Sequence, residues 1–414
     1  MPDRSAMRVS AAVRMGLSLA AGGLQALSIA TPWDGQPHGG LQLISLSLLA
    51  WLLLRQVSPG DGGRAPRRAE AAALGWLFAT AWLAGSFWWM FIAMHPYGGL
   101  PAPLAAVAVL ALSGALALYV AAACALYVHL GRRLGATRPA VNALLFASLW
   151  LMAELARGQW FTGFGWGAAG YAHVQGPLAA YAPWVGVYGI TAVSAWLAMM
   201  LASIGSTLLS LPAGGVASAW RRVGIAGLAM ALVLGLPFAQ QRWMPLAYPS
   251  TGTLRITLLQ GNIPQDEKFQ PGSGIVQSLR WYGEQLMQAS RDATLVVAPE
   301  TALPLLPQDL PAGYWSQLEA RYTQSGASAA LIGVPWGNSR DGYTNAVVGL
   351  APGQEHYRYD KHHLVPFGEF IPLGFRWFTA MMQIPLGDFN RGGLNQSSFA
   401  WQGQRLALNI CDED

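Results

Sequence analysis

Seven long apolar runs before residue 245, a reversal of charge balance after it, and alternating strand-like and helix-like segments beyond predict the fold class. It is a polytopic α-helical membrane domain followed by a layered α/β domain. Composition agrees, since 53% of the 414 residues are hydrophobic and 11% are charged. That is too apolar for an ordinary soluble chain of this length. Residues 1–245 hold fourteen arginines, no lysine and five acids, a net of +9. Residues 246–414 hold eleven basic and fifteen acidic side chains, a net of −4. The domain boundary is therefore placed at 245/246. The arginines sit in short loops between apolar runs rather than on one face, which points to a membrane and not to nucleic acid.

The apolar runs are 11–31, 39–54, 71–94, 101–130, 141–156, 185–211 and 223–239, the second and fifth being short for a span. The first has Arg4 and Arg8 ahead of it, as a signal peptide would. With six further spans behind it, a retained helix is the simpler reading. Counting loops alternately puts twelve arginines on one side (4, 8, 14, 55, 64, 67, 68, 132, 133, 138, 221, 222) and two, Arg157 and Arg242, on the other. The positive-inside rule then makes the N-terminus cytoplasmic and places residues 246–414 outside. Cys124, within AAACALYV, reads as a buried thiol. A disulfide to Cys411 would have to join the membrane interior to a soluble domain and is not expected. The outer segment 158–184 is long and aromatic, and two readings stand: an interfacial belt, or a loop lining a lipid entrance. Glu154 and Arg157, three apart on one helix face, read equally as a functional site or as a structural ion pair.

Beyond the boundary, 253–260 reads as a strand, 273–291 as a helix, 295–298 as a buried strand, 314–324 as a helix and 329–334 as a strand. Segments 343–350 and 355–359 read as a hairpin around Pro352-Gly353, and 405–411 as a further strand. Three residues stand at or just past such strand ends. Glu300 lies in VVAPETALP, Lys361 (one of only two lysines) in YDKHHLVPFGEFIP, and Cys411 closes RLALNIC. A thiol is mostly protonated at neutral pH, with an ordinary pKa of about 8.5. A carboxylate within reach can take its proton as it attacks an acyl carbonyl. A fixed ammonium can then stabilise the oxyanion that forms. Glu300, Lys361 and Cys411 supply base, oxyanion partner and nucleophile. Glu369, between Gly368 and Pro372, either holds Lys361 charged and oriented or assists proton transfer. His362-His363 does not read as a metal site, because adjacent side chains diverge on extended backbone.

The pieces LLQGNIPQ (258–265), APETALP (298–304), YDKHHLVPFGEFIP (359–372) and LNICDE (408–413) resemble the nitrilase superfamily. With seven spans ahead of them and TGFGW at 162–166, the chain resembles, within that superfamily, the apolipoprotein N-acyltransferase family. The resemblance implies a nitrilase-like αββα domain and a two-step acyl transfer in lipoprotein maturation. A membrane phospholipid, typically phosphatidylethanolamine, acylates the cysteine. The N-terminal amine of a diacylglyceryl-cysteine apolipoprotein then takes the acyl chain as an amide. It assigns Glu300 as general base, Lys361 as oxyanion stabiliser and Cys411 as nucleophile. Glu369 and Glu413 are supporting acids, and Trp166 and Trp243 are aromatics at the substrate. It implies no cofactor and no metal, a monomer, and a bacterial inner-membrane location with the catalytic domain in the periplasm.

The chain ends three residues after Cys411 and reads Cys411-Asp412-Glu413-Asp414 where the family has Cys-Tyr-Glu and continues to a final span. The αββα sandwich is therefore expected to be incomplete, and the polypeptide ending at Asp414 to be inactive or poorly folded outside the membrane. Two other functions remain as alternatives: a membrane-anchored nitrilase-type amidase using water as acceptor, and an inactive truncated remnant.

Overall fold

The computed structural model describes residues 10–57, 68–134, 139–209, 216–243, 252–289, 294–324, 328–338, 340–366, 368–371, 389–411 and 413. Two compact units divide the chain, Met1–Ala247 and Tyr248–Asp414.

The first unit is helical. Its elements are α1 (Ala11–Ile29), α2 (Gly39–Val57), α3 (Arg68–Ser86), the short α4 (Trp88–Ile92), α5 (Ala102–Arg133), α6 (Pro139–Gln159), α7 (Ala182–Leu209) and α8 (Val216–Trp243). Among the described residues six stretches are long and apolar enough to cross a membrane, and a bent pair, taken as one span, makes a seventh. That pair corrects the expectation of one continuous helix over 71–94: α3 and the Trp88–Tyr97 segment are bent by 56°. The break falls at Phe87, directly after Gly85 and Ser86, a Gly/Ser pair of the kind that interrupts long helices, and Pro96 lies in the π-helical turn that follows. Ser10 caps α1 by accepting the Val13 amide at 3.3 Å.

Small residues let the helices approach. A side chain at Gly22 would meet the Phe78 carbonyl at 2.1 Å, and one at Gly75 would meet Cys124 Sγ at 2.7 Å. Thus α3 packs on α1 and α5, and Cys124 is buried as expected. Phe78, Trp82, Phe146 and Trp150 form an aromatic core, with Trp82 and Trp150 stacked at 6.1 Å.

The second unit holds a five-stranded mixed sheet in the order β1 (Ile256–Leu258), β2 (Leu295–Val297), β3 (Ala329–Asn338), β4 (Gly342–Leu350), β5 (Tyr357–Asp360). The first three strands are parallel, and β4 and β5 are antiparallel additions. Helices α9 (Gly274–Gln288) and α10 (Tyr314–Thr323) cover one face through Leu279, Tyr282, Leu286, Leu318 and Tyr322. Phe399 and Leu295 anchor the opposite face, where the separate hairpin β6 (Phe399–Trp401) and β7 (Gln404–Leu406) packs.

Several expectations need adjusting. The strand expected over 253–260 shrinks to β1. The one expected over 329–334 runs on to Asn338, because β4 pairs with it throughout and reverses at Gly342, whose φ is +86°. The strand expected over 405–411 stops at Leu406. Residues 407–410 belong to no strand, and the Ile410 amide donates to Glu413 instead.

Candidate active site

Strand ends in the second unit gather the titratable groups. The chain leaves β2 at Val297 and turns across β3, where the Ala298 and Leu303 amides donate to the Leu331 and Gly333 carbonyls. Gly333 makes this approach possible, since a Cβ there would sit 2.1 Å from the Pro299 carbonyl and 2.8 Å from Glu300 Cα. Thr301, next to Glu300, has a φ of +46°. That is a strained conformation for a β-branched residue. One residue past β5, the Lys361 amide donates to the Asn345 carbonyl on β4 at 2.8 Å. A tight turn then brings Glu369 back, with Val365 N–H donating to its Oε2 at 2.9 Å.

These elements converge on one ammonium. Lys361 is 1% exposed, with its Nζ 2.9 Å from Glu369 Oε2 and 3.6 Å from Glu300 Oε1. Glu369 is buried with it, whereas the Glu300 side chain is 35% exposed and so reaches outward from the enclosed pair. Two contributors escape sequence reasoning. Asn345, also buried, donates from Nδ2 to Glu300 Oε1 at 2.6 Å and to Glu369 Oε1 at 2.7 Å. Lys268, the only other lysine, donates from Nζ to the Glu300 carbonyl at 3.1 Å. Burial pulls the Lys268 pKa below the usual lysine value, partly opposed by the Glu300 charge. Both lysines of the chain therefore reach Glu300.

Cys411 is exposed and sits in a bend with φ +59°, a conformation that turns the chain sharply. Glu413 ties this bend to the Lys361 segment. Its Oε1 accepts the His362 and His363 amides, the latter at 2.9 Å, and its Oε2 accepts Tyr359 Oη at 2.7 Å and the Ile410 amide at 3.1 Å. Burial first, and the Glu413 carboxylate second, push the Tyr359 phenol well above its usual pKa, so it stays a donor. Pro372, Asp412 and Asp414 lie outside the described residues.

In the first unit, Glu154 and Arg157 form a buried pair at 3.2 Å. Arg157 Nη1 also donates to the carbonyls of Phe164 and Trp166 at 2.6 and 2.8 Å, and Glu154 Oε2 accepts the Ala169 amide at 3.4 Å. The pair thus holds the aromatic loop after α6. The Trp166 ring stands edge-to-face with Trp89 and Phe164, each centroid at 5.2 Å. Trp243 is the last residue of α8, and its side chain lies outside the described residues.

Comparison with known proteins supplies the family. Residues 21–200 match the apolipoprotein N-acyltransferase N-terminal domain. An apolipoprotein N-acyltransferase of Verminephrobacter eiseniae is 52% identical over 420 residues, an alignment covering 98% of this chain and 73% of that protein. The chain belongs to the apolipoprotein N-acyltransferase family. A Ralstonia nicotianae member is 44% identical, with 90% of this chain and 66% of that protein covered, and a Neisseria meningitidis member is 32% identical, with 93% and 72% covered. The chain therefore spans about two thirds to three quarters of the length of these relatives. With its six to seven candidate spans, it is a multi-pass membrane protein with bacterial relatives.

Proposed function

We propose that the second unit carries a Glu300–Lys361–Cys411 centre that moves an acyl chain from a membrane phospholipid to the N-terminal amine of a diacylglyceryl-cysteine apolipoprotein. The observation that carries this reading is the convergence of Glu300 and Glu369 on the buried Lys361 ammonium, with Glu413 lacing the Cys411 bend to the same segment.

In the first step Glu300 takes the Sγ proton as the sulfur bonds to the ester carbonyl, and Lys361 stabilises the oxyanion. The C–O bond to glycerol then breaks, the alkoxide recovers the proton from Glu300, and a lysophospholipid leaves. In the second step the acceptor amine attacks the thioester, a C–N bond forms, the C–S bond breaks, and the amine proton passes to sulfur through Glu300. Glu369 keeps Lys361 charged and oriented. Trp166 and Trp243 serve as aromatic contacts for lipid chains. Both substrates are lipid-anchored, so a centre at the periplasmic face of the inner membrane meets them without a search through water. Water must be kept from the thioester, or the product becomes a free fatty acid.

The test is intact mass of the purified chain in detergent, before and after incubation with phosphatidylethanolamine. The assignment requires an acyl-sized, hydroxylamine-labile increment that depends on Cys411 and is absent from Cys411→Ala. Glu300→Gln is expected to slow its appearance by about 10²- to 10⁴-fold. An increment that survives Cys411→Ala overturns the assignment, and, with a diacylglyceryl-cysteine peptide also supplied, release of free fatty acid without amide favours the reading with water as acceptor.

A further inference from the structure

Asn345 lies at the middle of the polar cluster, yet polar residues in the interior of a strand are disfavoured unless something recruits them. Its position follows from strand register. Asn345 pairs with Pro335 across β3–β4, and on the other side its carbonyl receives the Lys361 amide just beyond β5. The side chain is thereby held between the segment that follows β2, bearing Glu300, and the turn bearing Glu369. Its one NH₂ group meets both carboxylates, at 2.6 and 2.7 Å. Its Oδ1 is buried and has no hydrogen-bond partner among the described residues.

That orphaned oxygen is informative. A buried amide normally satisfies both ends, and leaving an acceptor unpaired is unfavourable. The arrangement is stable only if the two donors on the other end matter more. They do so when both carboxylates are ionised, because ionised oxygens accept and never donate. Turning the amide over would set Oδ1 against two carboxylate oxygens, which is worse. Around Asn345 the titratable neighbours are Glu300, from the segment after β2, and Lys361 and Glu369, from the segment after β5. Lys268 approaches Glu300 from the loop after β1. Thr344, on the same strand, binds Asp360 at 2.6 Å and so occupies that acid elsewhere.

We infer that Asn345 is a positioning residue for the acyl-transfer centre, its forked N–H pair holding the Glu300 and Glu369 carboxylates apart on either side of Lys361. The inference rests on the reading of Glu300 as the base. It makes the base a property of three strands rather than of the Glu–Lys pair alone. One donor group shared by two acids also sets their spacing, so Lys361 faces both without collapsing onto either.

The test uses the full chain in detergent and reads Cys411 directly, by the rate of its alkylation by iodoacetamide. The adduct is mapped by peptide mass so that Cys124 is scored separately. Rates are taken across about pH 5 to 9, the span in which carboxylate and thiol control separate. The variants are Asn345→Asp, which keeps the shape and loses both donors, Asn345→Leu, and Asn345→Ser, which keeps a single donor. Removing both donors is expected to move the acid limb of the profile up by about one pH unit, with alkylation at pH 7 about 10-fold slower. The Ser variant is expected to fall between. Because the Ser variant is the gentlest change, it decides the matter if the other two no longer unfold cooperatively. A merely structural role would lower the melting temperature without moving the profile, and an unmoved profile in folded variants overturns the inference. Glu300→Gln separates the two failures. If it alkylates with the wild-type profile, the base reading falls; if it alone alters the profile, the role of Asn345 falls.

Discussion

Glu413 gathers four donors onto one carboxylate: two amides beyond Lys361, the Tyr359 hydroxyl and the amide preceding Cys411. A glutamine at this place has the same length but only one acceptor oxygen, so its NH₂ group would face donors. Glu413→Gln is expected to destabilise the second unit by about 2 kcal/mol, the scale of hydrogen bonds to a charged group. It should also raise amide exchange at His362 and His363 and slow thioester formation, read by exchange mass spectrometry and intact mass. Unchanged exchange at those two amides would remove Glu413 from this role. Glu300, Lys361 and Glu369 stood out in the sequence because each lies in a motif at a strand end or a tight turn, whereas Glu413 was picked out by the family resemblance alone. Asn345 and Lys268 were not legible, because their roles arise from register and from a loop folding back. The one available signal for Asn345 was its polarity within an otherwise strand-forming run, TNAVV.

Among the elements, the spans were the most legible, because twenty apolar residues have few other uses. The exception, 71–94, broke at small residues that hydropathy does not weigh. Strand extents were less legible, since a strand exists only where a partner pairs with it. β3 lengthened because β4 follows it, and 407–410 stopped being a strand because the Ile410 amide serves Glu413. The aromatic loop after α6 owes its shape to Arg157, whose planar fork meets two carbonyls and Glu154 together. A lysine is a point donor and cannot serve three partners in one plane. Arg157→Lys is therefore expected to raise amide exchange across 163–169 and lower the melting temperature. Arg157→Ala, which strands Glu154, is expected to cost about 3 to 5 kcal/mol. Exchange in that loop no different from wild type would assign the pair to helix packing alone.

At the scale of the whole molecule, orientation decides whether the proposed chemistry can meet its substrates. Twelve arginines in alternate loops against two give the insertion machinery a strong cue. Arg157 is buried against Glu154 and two carbonyls, so it adds little to the charge of its loop. Such a bias predicts that Gln36, in the exposed turn between α1 and α2, and Gln402, at the tip of the β6–β7 hairpin, lie outside the inner membrane. Leu134, just past α5, is predicted to lie inside. In a Cys411→Ser background, single cysteines at 36 and 402 are expected to react with a membrane-impermeant maleimide on intact spheroplasts, and one at 134 only after permeabilisation. The buried Cys124 serves as the unreactive internal reference. The reverse pattern would place the second unit in the cytoplasm. A lipoprotein amine displayed at the periplasmic leaflet could not then reach Cys411, and the acyl acceptor would have to be sought among cytoplasmic amines.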